Sequence, residues 1–172
     1  IQLGNGQHAL EYRPRPCTAK TQRIDPFPPA KQGQMNIYFA CSITGGREFE
    51  SAYQEIVAAL VKDGHEIPTS HLVRSEVMEK ERLLTPQDVY ERDENWIKNC
   101  DALIAEVSTP SHGVGYEISF ALNIDKPVLC ISQKGRKVSK MISGNPDPRL
   151  SVQAYEDVEE AISQARLFLD GL

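Results

Sequence analysis

The stretch from Ala102 to Leu122 constrains this chain more than any other. Ala102-Leu103-Ile104-Ala105-Glu106-Val107 is a short apolar run, the pattern of a strand buried on both faces. A polar turn with Pro110, Gly113 and Gly115 follows, and Tyr116 to Leu122 reads as the opening turns of a helix. A strand that passes through a glycine turn into a helix leaves backbone N–H groups at the helix N-terminus, where they can hold an anion. The same build puts Glu117 in the first helical turn, where the macrodipole favours an ionised carboxylate.

The rest of the chain repeats this grammar from Met35 onward. Asn36 to Ile43 is an apolar run rich in β-formers, closed by Thr44-Gly45-Gly46-Arg47. Tyr53, Ile56, Val57 and Leu60 are spaced for one buried helix face, and Gly64 ends that helix. His65-Glu66-Ile67-Pro68-Thr69 is expected as a second strand. A charged helical stretch follows from Ser75 to about Leu84. Thr85-Pro86 reads as an N-cap with proline in first helical position, opening a helix that carries Val89, Asp93, Trp96 and Ile97 and ends near Asn99. After the focal strand and helix, Lys126 to Ser132 is a further apolar strand. Gln133 to Arg149 is a long polar loop, Ser151 to Tyr155 a fifth strand, and Asp157 to Leu169 an amphipathic closing helix. Apolar strands separated by helices predict an α/β fold: a flavodoxin-like, doubly wound sheet of five parallel strands with helices on both faces.

Residues 1–34 stand apart. They hold five of the eleven prolines, no periodic apolar pattern, and five basic side chains against two acidic ones, so the remainder carries −8 of a net −5. This segment is expected to be a disordered Pro-rich tail, with a transit-peptide remnant as the alternative. The chain opens on Ile1, as a fragment or processed form would. Residues 35–172 are expected as one domain. An acidic chain with no basic run is a poor partner for nucleic acid or an anionic membrane, and no apolar segment is long enough to span a bilayer. Cys17, Cys41, Cys100 and Cys130 form no CxxC pair and read as free thiols of a reducing compartment; His71 and His112 lack metal-ligand spacing.

In a doubly wound sheet, ligands sit beyond the carboxyl ends of the strands. That rule gathers Ser42 to Arg47, the helix with Asp93, and the loop from Ser108 to Glu117. Bland readings stand beside each: a tight turn, a solvated charged helix face, a first-turn glutamate that only stabilises its helix, and a core tyrosine at Tyr38. The sharper reading is a carboxylate beside an anion cradle, suited to attack on a sugar carbon.

Taken together, Tyr38-Phe39-Ala40-Cys41-Ser42-Ile43-Thr44-Gly45-Gly46-Arg47-Glu48, Asp93 with Trp96, Ala105-Glu106-Val107, and Pro110-Ser111-His112-Gly113-Val114-Gly115-Tyr116-Glu117 resemble the 2′-deoxynucleoside 5′-phosphate N-hydrolases of the nucleoside 2-deoxyribosyltransferase superfamily. The resemblance runs from about Asn36 to the closing helix. It implies a flavodoxin-like homodimer that splits deoxynucleoside monophosphates into free base and 2-deoxyribose 5-phosphate, with no metal or organic cofactor. By position, Glu117 matches the nucleophile, Asp93 the carboxylate that assists it and the leaving base, and Tyr38 the sugar-side tyrosine. Ser111, Gly113 and Gly115 match the phosphate loop. Ser139 and Met141 match a segment lent by the partner subunit, so that active sites are shared. Ser42, Ile43, Thr44, Gly45, Gly46 and Arg47 match the loop around sugar and base, and Cys41 and His71 join the substrate-binding set.

Cys41 departs from a glycine of the vertebrate hydrolases, Thr44 from an arginine, and His112 from a less polar residue; these bear on base preference and phosphate affinity. The rival activities are a deoxyribosyltransferase and a ribonucleotide N-hydrolase of the CMP type, against which Tyr38 argues because such relatives tend to carry Phe there. A non-catalytic nucleotide-binding module is the alternative from another class. A cytoplasmic location, extending to the nucleus, is expected.

Overall fold

The computed structural model describes residues 33–43, 46, 48–73 and 83–172. The segment before residue 33, Thr44, Gly45, Arg47 and most of the helical stretch expected from Ser75 to Leu84 lie outside the described residues.

Four parallel strands form one sheet in the order β1-β2-β3-β4: β1 Ile37–Ala40, β2 Ala102–Glu106, β3 Val128–Gln133 and β4 Leu150–Tyr155. Their side chains alternate between two cores, as a period of two requires. Ile37, Phe39, Ile104, Leu129 and Ile131 face α1 (Glu50–Lys62) and the closing helix Val158–Asp170. Tyr38, Ala40, Leu103, Ala105 and Cys130 face α2 (Pro86–Asn99) and α3 (His112–Asn123). Helices therefore cover both faces, which is why β1 to β3 are mostly apolar, whereas the edge strand β4 carries Ser151 and Gln153.

The sequence predicts five strands, whereas the described residues form four. His65–Thr69 contributes one bridge, Asn36 to Glu66, on the edge of β1 away from β2. Pro68 has no N–H to extend a ladder, and it opens a 3₁₀ turn, Pro68–His71. Thr69 Oγ1 accepts the Phe39 N–H at 3.1 Å in place of a strand partner. The chain thus leaves β1 to one side and β2 to the other, and their carboxyl ends diverge there.

α2 starts as its sequence demands. Thr85 and Asp88 form a reciprocal capping box, with Pro86 at first position. α3 starts earlier than expected. Ser111 is its N-cap, and Gly113 and Gly115 are helical rather than part of a turn. Glu117 consequently lies in the second turn, and no acidic residue occupies the first. The reason is the cap: the Ser111 hydroxyl takes the Val114 N–H at 3.4 Å, directly after Pro110, and this starts the helix four residues before the apolar pattern becomes visible. The segment Gln133–Arg149 is also not all loop, because Ser139 caps a single turn, α4, at Lys140–Ser143. The closing helix is α5.

Candidate active site

Tyr38 is the second residue of β1 and is 1% exposed, so its hydroxyl needs a partner. It donates to Glu117 Oε1 at 2.9 Å, joining β1 to the second turn of α3 across the diverging strand ends. Burial pushes the Glu117 carboxyl up from 4.5 to about 7; the Tyr38 hydrogen bond and the Arg92 charge pull it down, and the charge of Asp93 pushes it further up. Burial, with Glu117 and Asp93 nearby, also drives the Tyr38 phenol far above its ordinary range. Tyr38 is therefore a fixed donor and never a phenolate at neutral pH.

Asp93 projects from α2 toward this pair. Arg92 Nε donates to Asp93 Oδ1 at 2.8 Å, and both side chains are only about one-fifth exposed. The Arg92 guanidinium lies 4.8 Å from the centre of the Trp96 ring, which His71 meets edge-on with ring centres 5.7 Å apart. The 3₁₀ turn held by Thr69 is what delivers His71 here. One continuous cluster results: Glu117, Tyr38, Asp93, Arg92, Trp96 and His71. Two carboxylates, one of them poised near neutrality and one tied to a cation, form the kind of divided pair that runs nucleophilic and acid–base chemistry at one centre.

The glycine turn after β1 lies beside the loop that follows β2. A methyl group built on Gly46 would sit 3.9 Å from Thr109 Cγ2, and the Gly46 φ of +127° suits glycine. Cys41 and Ser42 are buried below this turn, the Ser42 hydroxyl with no hydrogen-bond partner among the described residues, and Ile43 is partly buried. The expected substrate contacts of Thr44, Gly45 and Arg47 fall outside the described residues.

Ser111, Gly113, Gly115, Ser139 and Met141 gather elsewhere. They line a cavity of about 1210 Å³ between α3 and the Lys137–Arg149 segment, to which Tyr38, Asp93 and Glu117 do not contribute. Met141 stands 84% exposed at its edge. Within one chain, then, the carboxylates and the Ser139 segment occupy different faces of α3. The N–H groups of Val114 and Gly115 are taken by the Ser111 side chain and carbonyl, which leaves His112 and Gly113 without intrahelical partners.

One member of the site was not legible as such in the sequence, and a buried acid outside the site was missed with it. Arg92 reads as one charge on a polar helix face, and only the fold turns it onto Asp93 and Trp96. Glu106 carries a signal that pattern reading passes over: a lone acid ending an otherwise apolar strand. Burial of Cys100 and Cys130 pushes their thiols up to about 11 and about 12, so neither is a nucleophile at neutral pH. Among the described residues no three His, Cys, Asp or Glu side chains are grouped to share a metal ion.

A parallel sheet with paired carboxylates and a capped helix at its diverging strand ends defines an α/β protein built to bind a small polar ligand. Residues 37–164 match the family model described as nucleoside 2-deoxyribosyltransferase, and the chain belongs to that family. A Methanosarcina mazei protein provisionally named 2′-deoxynucleoside 5′-phosphate N-hydrolase 1 is 39% identical over 140 residues, spanning 81% of this chain and 87% of that protein. The rat 5-hydroxymethyl-dUMP N-hydrolase is 37% identical over 143 residues, spanning 80% and 87%. The solved structure of a Clostridium botulinum CMP N-glycosidase superposes with a TM-score of 0.60 at 18% identity, over 77% of this chain and 98% of the other, and shares the fold.

Proposed function

We propose that this protein hydrolyses the N-glycosidic bond of 2′-deoxynucleoside 5′-monophosphates on a flavodoxin-like scaffold, with Glu117 as nucleophile. The observation that carries the proposal is the 2.9 Å hydrogen bond from the buried Tyr38 hydroxyl to Glu117 Oε1, with the Asp93 charge acting on the same group. The names of the M. mazei and rat relatives support the substrate class.

In this reading the ionised Glu117 attacks C1′ as the C1′–N bond breaks, and that electron pair leaves with the base. Asp93 assists the nucleophile and the departing base. The developing positive charge on the sugar forms beside two carboxylates, where it is best stabilised. Water then opens the glycosyl ester, giving its hydroxide to C1′ and its proton to the departed base, and 2-deoxyribose 5-phosphate and the free Glu117 carboxylate are released. The missing 2′-hydroxyl of the substrate makes the sugar cation easier to form. The experiment is incubation with the four deoxynucleoside monophosphates, the ribonucleotides and the deoxynucleosides, with free base followed by chromatography. Release from the deoxynucleotides first and fastest is the expected result, and no release from any of them overturns the proposal. Transfer to a second base, which the family name favours, is read from the same assay by adding a free base and looking for a new nucleotide.

Removing the Tyr38 hydroxyl tests the electrostatics. Its hydrogen bond lowers the Glu117 pKa, so Tyr38→Phe raises it. Because the ionised form is the reactive one, kcat/KM of the wild type should rise with pH through about 7, and that of Tyr38→Phe at a more alkaline pH. Superimposable profiles would detach Tyr38 from Glu117 in catalysis.

The active site is read as shared in a homodimer, with the partner's Ser139 completing the phosphate end. Two features support this: the carboxylate cluster and the Ser139 segment of one chain lie on different faces of α3, and an aromatic row of exposed Tyr90 and Tyr116 with partly buried Phe120 lies on α2 and α3. Mixing inactive Glu117→Gln with inactive Ser139→Trp should restore part of the activity. No rescue under conditions where subunits exchange would count against sharing.

A further inference from the structure

Glu106 is the last residue of β2 and is fully buried, on the sheet face opposite Tyr38. No Lys or Arg among the described residues is ion-paired with it. Hydroxyl and amide donors take that place. Oε1 accepts from the Tyr155 hydroxyl at 2.9 Å and from the Ser108 hydroxyl, and the Ser108 N–H lies 3.3 and 3.4 Å from the two oxygens. The Ser108 oxygen in turn accepts the Gln133 N–H at 2.7 Å. One carboxylate thus ties the end of β2 to that of β4 through Tyr155 and to that of β3 through Ser108.

A buried carboxylate with no cation is costly, and an apolar side chain of similar volume would fill the space more cheaply. What the carboxylate adds is direction. Ser108 begins the short loop Ser108–Ser111, with Thr109 against the glycine turn at Gly46 and Ser111 capping α3. The hydrogen bonds of Glu106 lie at the root of a four-residue loop, where they bear on the position of its far end. That far end presents the Ser111 hydroxyl and the His112 and Gly113 N–H groups.

We propose that Glu106 is a positioning residue: through Ser108 it fixes the Ser108–Ser111 loop and the start of α3, and thereby sets how strongly the 5′-phosphate end of the substrate is held. The phosphate part of this statement rests on the function proposed above; the positioning part does not.

The test compares Glu106→Leu, Glu106→Gln and Ser108→Ala with wild type in two measurements. The first is kcat/KM for a deoxynucleotide and for its unphosphorylated deoxynucleoside. Glu106→Leu and Ser108→Ala should lower the ratio of the two by about tenfold or more while changing the deoxynucleoside value by no more than about twofold. Glu106→Gln, which keeps an oxygen for both hydroxyls, should recover most of the ratio. Equal losses on both substrates, or no loss, overturn the proposal, because a merely structural residue has no reason to favour one substrate. The second measurement is amide hydrogen exchange without ligand. Protection should fall for residues 108–115 and stay unchanged in the central strands, whereas a loss spread through β2 to β4 overturns positioning. If wild type releases no base from either substrate, the functional proposal has failed and the exchange pattern alone decides the role of Glu106. If Glu106→Leu does not fold, Ser108→Ala, which removes the bridge and keeps the buried carboxylate, decides by the same criteria.

Discussion

Glu117→Gln should release base about three orders of magnitude more slowly than wild type or worse, and yet be the more stable protein at pH 8. Both effects come from the same burial. The folded state holds the Glu117 proton to about 7, whereas the unfolded chain releases it near 4.5. Between those values the native state binds the proton that the unfolded state has lost, so stability falls as pH rises through this window and stays lowered above it. Gln is neutral throughout and still offers Oε1 to the Tyr38 hydroxyl. After discounting for the partial exposure of the side chain, the gain at pH 8 should be about 2 kcal/mol, vanishing as pH falls below 4.5, where Glu117 is protonated in both states. Urea unfolding at the two pH values measures it, and base release measures the other half. A wild-type rate in the variant removes Glu117 as nucleophile; a variant no more stable at pH 8 than wild type shows that the native fold tolerates the charge without cost.

The second large effect concerns the 5′-phosphate. Charge-assisted hydrogen bonds contribute roughly 1.5–3 kcal/mol each. On the function and shared site proposed above, Ser111, Ser139 and the N–H groups of His112 and Gly113 should therefore favour a deoxynucleotide over its deoxynucleoside by at least about a hundredfold in kcat/KM. Binding energy remote from C1′ can be spent on aligning the sugar for attack, so kcat should fall along with the rise in KM when the phosphate is absent. Ser111→Ala combined with Ser139→Ala should narrow the gap mainly by slowing the phosphorylated substrate. Ser111→Ala also removes the α3 cap, at about 1 kcal/mol of stability, so unfolding is measured in parallel. Equal kcat/KM for dGMP and deoxyguanosine would eliminate the phosphate pocket and favour the transferase reading.

The sequence by itself determined the parallel, helix-covered sheet, because runs such as Ala102–Glu106 and Val128–Ser132 are too apolar for any strand with a wet face. It also determined the start of α2, since Thr85, Pro86 and Asp88 are a local device that works without the rest of the chain. Tyr38, Asp93 and Glu117 were legible as candidates through their motifs. Tertiary structure decided what they touch. The Tyr38–Glu117 bond joins residues 79 apart in sequence, and no periodicity encodes it. The turn at Pro68 was decided by Thr69 reaching Phe39 from another segment, which ended the second strand after one bridge. Glu117 moved to the second turn of α3 because Ser111 captured the Val114 N–H, so its perturbed proton affinity comes from burial and from Asp93 rather than from a first-turn dipole. Local hydrogen bonds and apolar spacing are written in neighbouring residues and can be read there; burial and the meeting of distant charges exist only once the chain has closed on itself.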